Sequence, residues 1–177
     1  MSSDFIRTAN LVGALALVLT DRQEAAARAA SGLGGSACAA LVLVGFHPGT
    51  TIGTVAQVAG VTHSVAVRLV EGLEQAGLLV RAPGEDDKRK VALRLTPAGT
   101  ALRRSILAAR AAVLCDSLAA VPPDMADAFR SVVEAMLERV TVGRQSADHI
   151  CRLCDEGVCP AETCPVECAA VRQAAPQ

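Results

Sequence analysis

Residues 51–99 read TIGTVAQVAGVTHSVAVRLVEGLEQAGLLVRAPGEDDKRKVALRLTPAG, and the order of signals in this stretch decides the fold. TVAQVAG places Val55, Ala56 and Val58 at helical spacing and ends on Gly60, the residue type that reaches the left-handed conformation closing a helix. Thr62 then offers its hydroxyl to the unpaired first amides of a second helix, HSVAVRLVEGLEQA, which Gly77 closes. Steps of four and three put Val65, Leu69, Leu73 and Ala76 on the face of that helix expected to be buried, with Ser64, Val67, Arg68 and Glu71 opposite. LLVRA follows as an extended strand, PGEDDK as a turn, and RKVALRLT as a second strand in which Val91, Leu93 and Leu95 alternate with polar or small residues. Helix, turn, helix and basic-tipped hairpin thus follow in one unbroken run.

In a helix-turn-helix the second helix presents its N-terminal residues to base edges in the major groove, which makes His63, Ser64, Val67 and Arg68 candidate DNA contacts. Lys88, Arg89, Lys90 and Arg94 in the hairpin are placed to reach phosphates or a narrow minor groove, where negative potential favours arginine. The order of elements, the helix SVAVRLVEGLEQAGLLVR, the D-x-R of Asp87 to Arg89 and the LTPAG of Leu95 to Gly99 together resemble the MarR family of winged-helix regulators, over roughly the first four-fifths of the chain. The resemblance implies that Arg89 enters the minor groove, that Asp87 helps hold the wing, and that Arg68 is the arginine of the recognition helix. It also implies a homodimer of interlocked terminal helices on double-stranded DNA. The operator is then an inverted repeat whose half-sites lie one helical turn, or a multiple of it, apart.

Composition agrees with a duplex reader. Hydrophobic residues make up 51% of the 177 but aromatics only 2%, without Trp or Tyr, so the core is Ala, Val and Leu and there is no aromatic platform for single-stranded bases. A formal net charge of -1 argues against indiscriminate coating of nucleic acid, whereas a local basic patch suffices for a sequence-directed dimer. No secretory signal is visible, and the apolar run from Leu11 to Leu19 is shorter than the ~20 residues that span a bilayer. A cytoplasmic protein without a membrane partner is expected, with its seven cysteines read first as thiols, metal ligands or sensors.

Along the chain, residues 3–30 read as a long helix whose Phe5, Ile6, Leu11, Leu15, Leu17 and Val18 spread too widely for a single buried stripe, which points to a partner subunit. SGLGGS is a connection, and residues 36–45 form a second helix ended by HPGT, where His47 reads as a solvated loop residue. Thr96 and Pro97 start another helix, which Pro122 and Pro123 interrupt. Beyond them Met125, Phe129, Val132, Met136 and Val140 recur at helical spacing as core or dimer interface.

The tail HICRLCDEGVCPAETCPVEC departs from the family pattern. Cys151, Cys154, Cys159, Cys164 and Cys168 form C-x2-C-x4-C-x4-C-x3-C, a density no packed helix requires. An iron-sulfur cluster is preferred, since four clustered thiolates with Cys-Pro pairs resemble ferredoxin-like runs, although the spacing differs. Zinc comes second, because the second C-x2-C knuckle of a ribbon is missing, and a disulfide switch third. Cys151, Cys154, Cys159 and Cys164 are the chosen ligands, with Cys168 as a fifth candidate; His149 reads as solvated, and Cys38 and Cys115 as small core residues.

The reading is therefore a mainly α fold: a winged helix-turn-helix with a small β-hairpin wing and long N- and C-terminal dimerisation helices. Residues 1–147 form the DNA-binding and dimerisation domain and 148–177 a cysteine-rich metal-binding tail that continues the last dimerisation helix. The function expected is transcriptional regulation, as a repressor whose DNA binding the cysteine centre modulates. The rivals are a regulator with a purely structural tail that answers to a small molecule at the dimer interface, and a thiol or electron-transfer protein. Against an enzyme, the chain carries no G-x-G-x-x-G, G-x-S-x-G or H-E-x-x-H.

Overall fold

A computed structural model describes residues 2–84 and 91–174. The chain opens with α1 (Ser3–Ser31), capped by Ser2, whose hydroxyl accepts from the Phe5 amide. A glycine-rich turn leads into α2 (Gly35–Phe46), the most deeply buried helix, with Cys38, Ala39, Ala40, Leu41, Val42 and Val44 all inside. Then come α3 (Ile52–Ala59) and α4 (His63–Gln75), and an antiparallel pair, β1 (Leu79–Pro83) with β2 (Val91–Leu95), in the register Leu79 to Leu95 and Arg81 to Leu93. The turn before α3 adds a short third edge: Leu93 N–H donates to the Thr50 carbonyl at 2.9 Å and Gly49 N–H to the Leu93 carbonyl at 3.0 Å.

The core lies where α2 meets α3, α4, the hairpin and α5 (Pro97–Leu118), and unites Leu41, Val44, Val55, Ala66, Val70, Leu73, Leu79, Leu93 and Ile106. Each fully buried Leu or Val there contributes about 1.5–3 kcal/mol. The expected buried face of α4 is shifted in part: Leu73 is core and Leu69 packs against it as expected, but Val65 and Ala76 are exposed. Ala66, Val70 and Leu73 face the core, while Val65 is 45% exposed, because both stripes are apolar and the packing of α3 and β1 selects the first.

Pro122 and Pro123 break the helix after α5, and the next, α6 (Ala126–Val140), leaves at 106° through a single 3-10 turn. In the 3-10 turn and on α6, Met125, Val132, Met136 and Val140 stay exposed, as do Phe5, Ile6, Leu11, Leu15, Leu17 and Val18 on α1. These stripes are not core of the single chain. By length and composition α1 is also apolar enough to cross a membrane, with a mean hydropathy of 1.2 over its best 18 residues, so the helix is longer and more apolar than the Leu11 to Leu19 run indicates.

Beyond α6 the chain turns sharply. Thr141 and Val142 are extended, Gly143 takes φ +70°, and α7 (Gly143–Ile150) sets off in a new direction before a turn-rich loop and α8 (Pro165–Ala174). The tail therefore does not continue the last long helix: a left-handed residue cannot propagate one. Instead α8 folds back on α6 and α7, with Arg172 paired to Glu138 at 2.6 Å and Arg144 to Glu167 at 2.7 Å.

Candidate DNA interface and cysteine cluster

The recognition surface is set by local backbone chemistry. At the end of α3, Gly60 at φ +67° lets its own amide and that of Val61 turn back onto the carbonyls of Gln57 and Ala56. Two residues later Thr62 caps α4, its hydroxyl accepting from Val65 N–H and lying 3.1 Å from Ser64 Oγ. The first turn of α4 is thereby held with His63, Ser64, Val65 and Arg68 exposed, and with Val67 half-buried beside them. Val65 was missed in the sequence, where it reads as core; exposed, it is an apolar group of the kind that meets a thymine methyl.

At the other end α4 closes in the same way, with Leu78 N–H bonding to the Leu73 carbonyl and Gly77 N–H to that of Glu74, both at 2.9 Å. Glu74 then pairs with Arg81 at 3.4 Å and ties the helix to β1. Of the wing candidates, Asp87, Lys88, Arg89 and Lys90 lie outside the described residues; Arg94 sits in β2 across from Val80 and has a partner of its own.

The five tail cysteines occupy one region. Cys151 ends α7, Cys154 N–H donates to the Cys151 carbonyl at 2.8 Å, and Cys164 packs with Cys151 around Ala147, Val166 and Ala170. The hydrogen bond from Cys151, aided by Arg110 of α5, pulls the Cys154 thiol down to about 6 against the opposing effect of burial. The same hydrogen bond pushes Cys151 up, with burial and the charges of Cys154, Cys164 and Cys159 acting in the same direction. Cys159 is raised by burial and by Cys154 and Cys164. Cys168 stands apart inside α8, its thiol donating to the Glu162 carbonyl at 3.4 Å. Cys151, Cys154, Cys159 and Cys164 thus feel one another's charge, yet among the described residues no three His, Cys, Asp or Glu side chains are positioned to hold a metal ion.

Three other residues differ from their sequence reading. Cys115 is exposed and only Cys38 is core, its thiol pushed up by burial. His47 is not merely solvated, since its Nε2 lies 3.0 Å from Glu156 Oε1. Nor is His149, whose Nδ1 lies 2.9 Å from the Val58 carbonyl. Arg110, next to Cys154, carried no signal in the sequence, being one of several arginines on a long helix.

Residues 31–90 match the model of the MarR family. The chain is 32% identical over 99 residues to the HTH-type transcriptional regulator PetP of Rhodobacter capsulatus; the match takes in 56% of this chain and spans 60% of that relative's length. Among solved structures, the YusO protein of Bacillus subtilis superposes with a TM-score of 0.63 at 20% identity, over 79% of this chain and 99% of that one. CouR from Rhodococcus jostii RHA1, bound to p-coumaroyl-CoA, gives a TM-score of 0.57 at 24% identity over 71% and 88%. Over residues 31–90 the chain is therefore similar to the MarR family, and its mainly helical fold with a winged helix-turn-helix is that of these solved structures.

Proposed function

We propose that the protein is a DNA-binding transcriptional regulator of the MarR type, a repressor that works as a homodimer on an inverted-repeat operator in double-stranded DNA. The observation that carries this reading is the first turn of α4, capped by Thr62 and presenting His63, Ser64, Val65 and Arg68 outward from a helix whose other face is core. The exposed apolar stripes of α1 and α6 support the dimer, since patches of this kind on a soluble protein are covered by a partner. A second copy covers them better than a bilayer does, because Arg7, Asp21 and Arg22 interrupt α1 and Arg22 pairs with Asp116 of α5. A protein that reads DNA belongs in the cytoplasm. A mobility shift with duplexes enriched by in vitro selection tests the reading; absence of any selected sequence, together with dithiol turnover, would favour a thiol or electron-transfer protein.

The finer part of the proposal is that the cysteine cluster modulates DNA binding. Cys151, Cys154, Cys159 and Cys164 would hold an iron-sulfur cluster, or failing that zinc, the first supplying a redox-sensitive centre and the second a fixed tetrahedral tie. An absorption spectrum and metal analysis of protein purified without oxygen test this. A visible band that bleaches with oxidant identifies iron and sulfur; a colourless protein with stoichiometric zinc identifies zinc.

A second reading, a response to a small molecule, draws on a cleft of about 260 Å³ between Glu24, Ser36, Ala59, His149 and Arg152, and on the ligand carried by CouR.

A further inference from the structure

Resting on the reading of the tail as a modulator, we infer that residues 149–156 form a latch on the helix-turn-helix of their own subunit, through which the cysteine cluster acts on α4 by way of α3. The dimer helices are then not the route.

Two side-chain ties and one packing contact make the latch. The last carbonyls of a helix lack partners within it, and in α3 those of Ala56 and Gln57 are taken up by the turn, while that of Val58 meets His149 Nδ1 at 2.9 Å. A carbonyl only accepts, so Nδ1 carries the proton. The imidazole is seated on Gly60: a Cβ there would lie 2.9 Å from His149 Cε1, so the glycine that makes the turn left-handed also leaves room for the ring. Further along, Glu156 Oε1 meets Nε2 of His47, the residue that ends α2 and begins the turn into α3. Between these ties Leu153, inside the Cys151 to Cys154 turn, packs against the main core.

The latch residues alternate with the cysteines. His149 is two residues before Cys151, Leu153 lies between Cys151 and Cys154, and Glu156 is two residues after Cys154. Any event that draws these thiols towards Cys159 and Cys164 pulls on the backbone carrying all three contacts. On the receiving side, Val55 and Ala56 of α3 share one core with Ala66 and Val70 of α4, so a shift of α3 reorients the recognition helix. The competing route runs through α8 to α6, by Arg172 with Glu138 and by the Gln173 amide donating to the Thr141 carbonyl at 2.9 Å.

Amide hydrogen exchange on the full-length protein separates the routes. Peptides covering 52–60 and 63–75 are followed with thiols reduced and after diamide, which takes two hydrogens from a thiol pair and leaves a disulfide. In the wild type the exchange of α3 should change at least about fivefold, the low end of ordinary coupling between two sites. In the double variant His47→Ala, His149→Ala, the same number of thiols should disappear on titration while α3 exchanges alike in both states. The variant Glu138→Ala, Arg172→Ala, which cuts the other route, should respond as wild type does. A latch variant that still responds fully, or a response lost only in the Glu138 and Arg172 variant, overturns the latch and leaves the modulator reading standing. Wild-type protein that loses its thiols with no change across 52–75 or in affinity for selected DNA overturns both.

Discussion

The carbonyl of Leu78 stands where the side chain of residue 99 would begin: a Cβ on Gly99 would lie 1.9 Å from that oxygen. The contact joins the end of the helix-turn-helix to the start of α5. Thr96 completes the joint, its amide donating to the Leu78 carbonyl at 3.1 Å and its hydroxyl donating to the Gly77 carbonyl at 2.6 Å while accepting from Gly99 N–H at 3.0 Å. Gly99→Ala should therefore destabilise the fold by about 3 kcal/mol, since the opposing atom is backbone and cannot swing aside. Thermal unfolding checks this, and a midpoint equal to wild type rules it out.

On the recognition helix, Arg68→Ala should weaken binding to the selected duplex by about 1–3 kcal/mol and relax preference at one position, as loss of a base contact does. Arg89→Ala should instead weaken every duplex alike and lower the salt slope by about 1. Fluorescence anisotropy over a salt series separates the two behaviours, and unchanged affinity at fixed salt sinks the assignment of either residue.

The exposed stripes of α1 and α6 call for a dimer at low micromolar concentration. Leu15→Glu with Met136→Glu, at positions 47% and 45% exposed in the single chain, should keep the helical circular dichroism but sediment as monomer. A soluble wild-type monomer refutes the assembly.

Cys154 is the thiol to ionise first. Its depressed value means that the thiolate dominates above about pH 6 and is lost as pH falls through that point. In metal-free, reduced protein, iodoacetamide should modify Cys154 ahead of Cys151 at neutral pH, with a rate that drops below pH 6. Arg110→Ala should move that drop upwards, because the guanidinium favours the thiolate. Mass spectrometry of the labelled peptides reads both effects.

Replacing Cys151 and Cys154 together by Ser should abolish metal binding, since serine is a poor ligand for zinc and for iron-sulfur clusters. The winged-helix core holds neither residue, so circular dichroism should change little, while affinity for DNA shifts at least several-fold, a coupling of ~1–3 kcal/mol. A metal-free, dimeric variant with unchanged affinity makes the tail a staple.

Much of the reader was legible in sequence because its determinants are local. Capping by Thr62 and Thr96, the proline after Thr96 and the left-handed turns at Gly60 and Gly77 each involve groups within a few residues of one another, so the residues alone specify the order helix, turn, helix, hairpin. The cysteine spacing was equally plain. What the chain could not disclose by itself depends on which surfaces meet. Helical periodicity allows α4 either of two neighbouring apolar stripes, and only the packing of α3 and β1 chose Ala66 and Val70 over Val65. The exposure of Cys115, the approach of Arg110 to Cys154 and the bond between His149 and Val58, 91 residues apart, are likewise products of tertiary packing. Local sequence sets the torsions and caps of each element, whereas a contact between distant residues exists only once burial of the common core has brought their elements together.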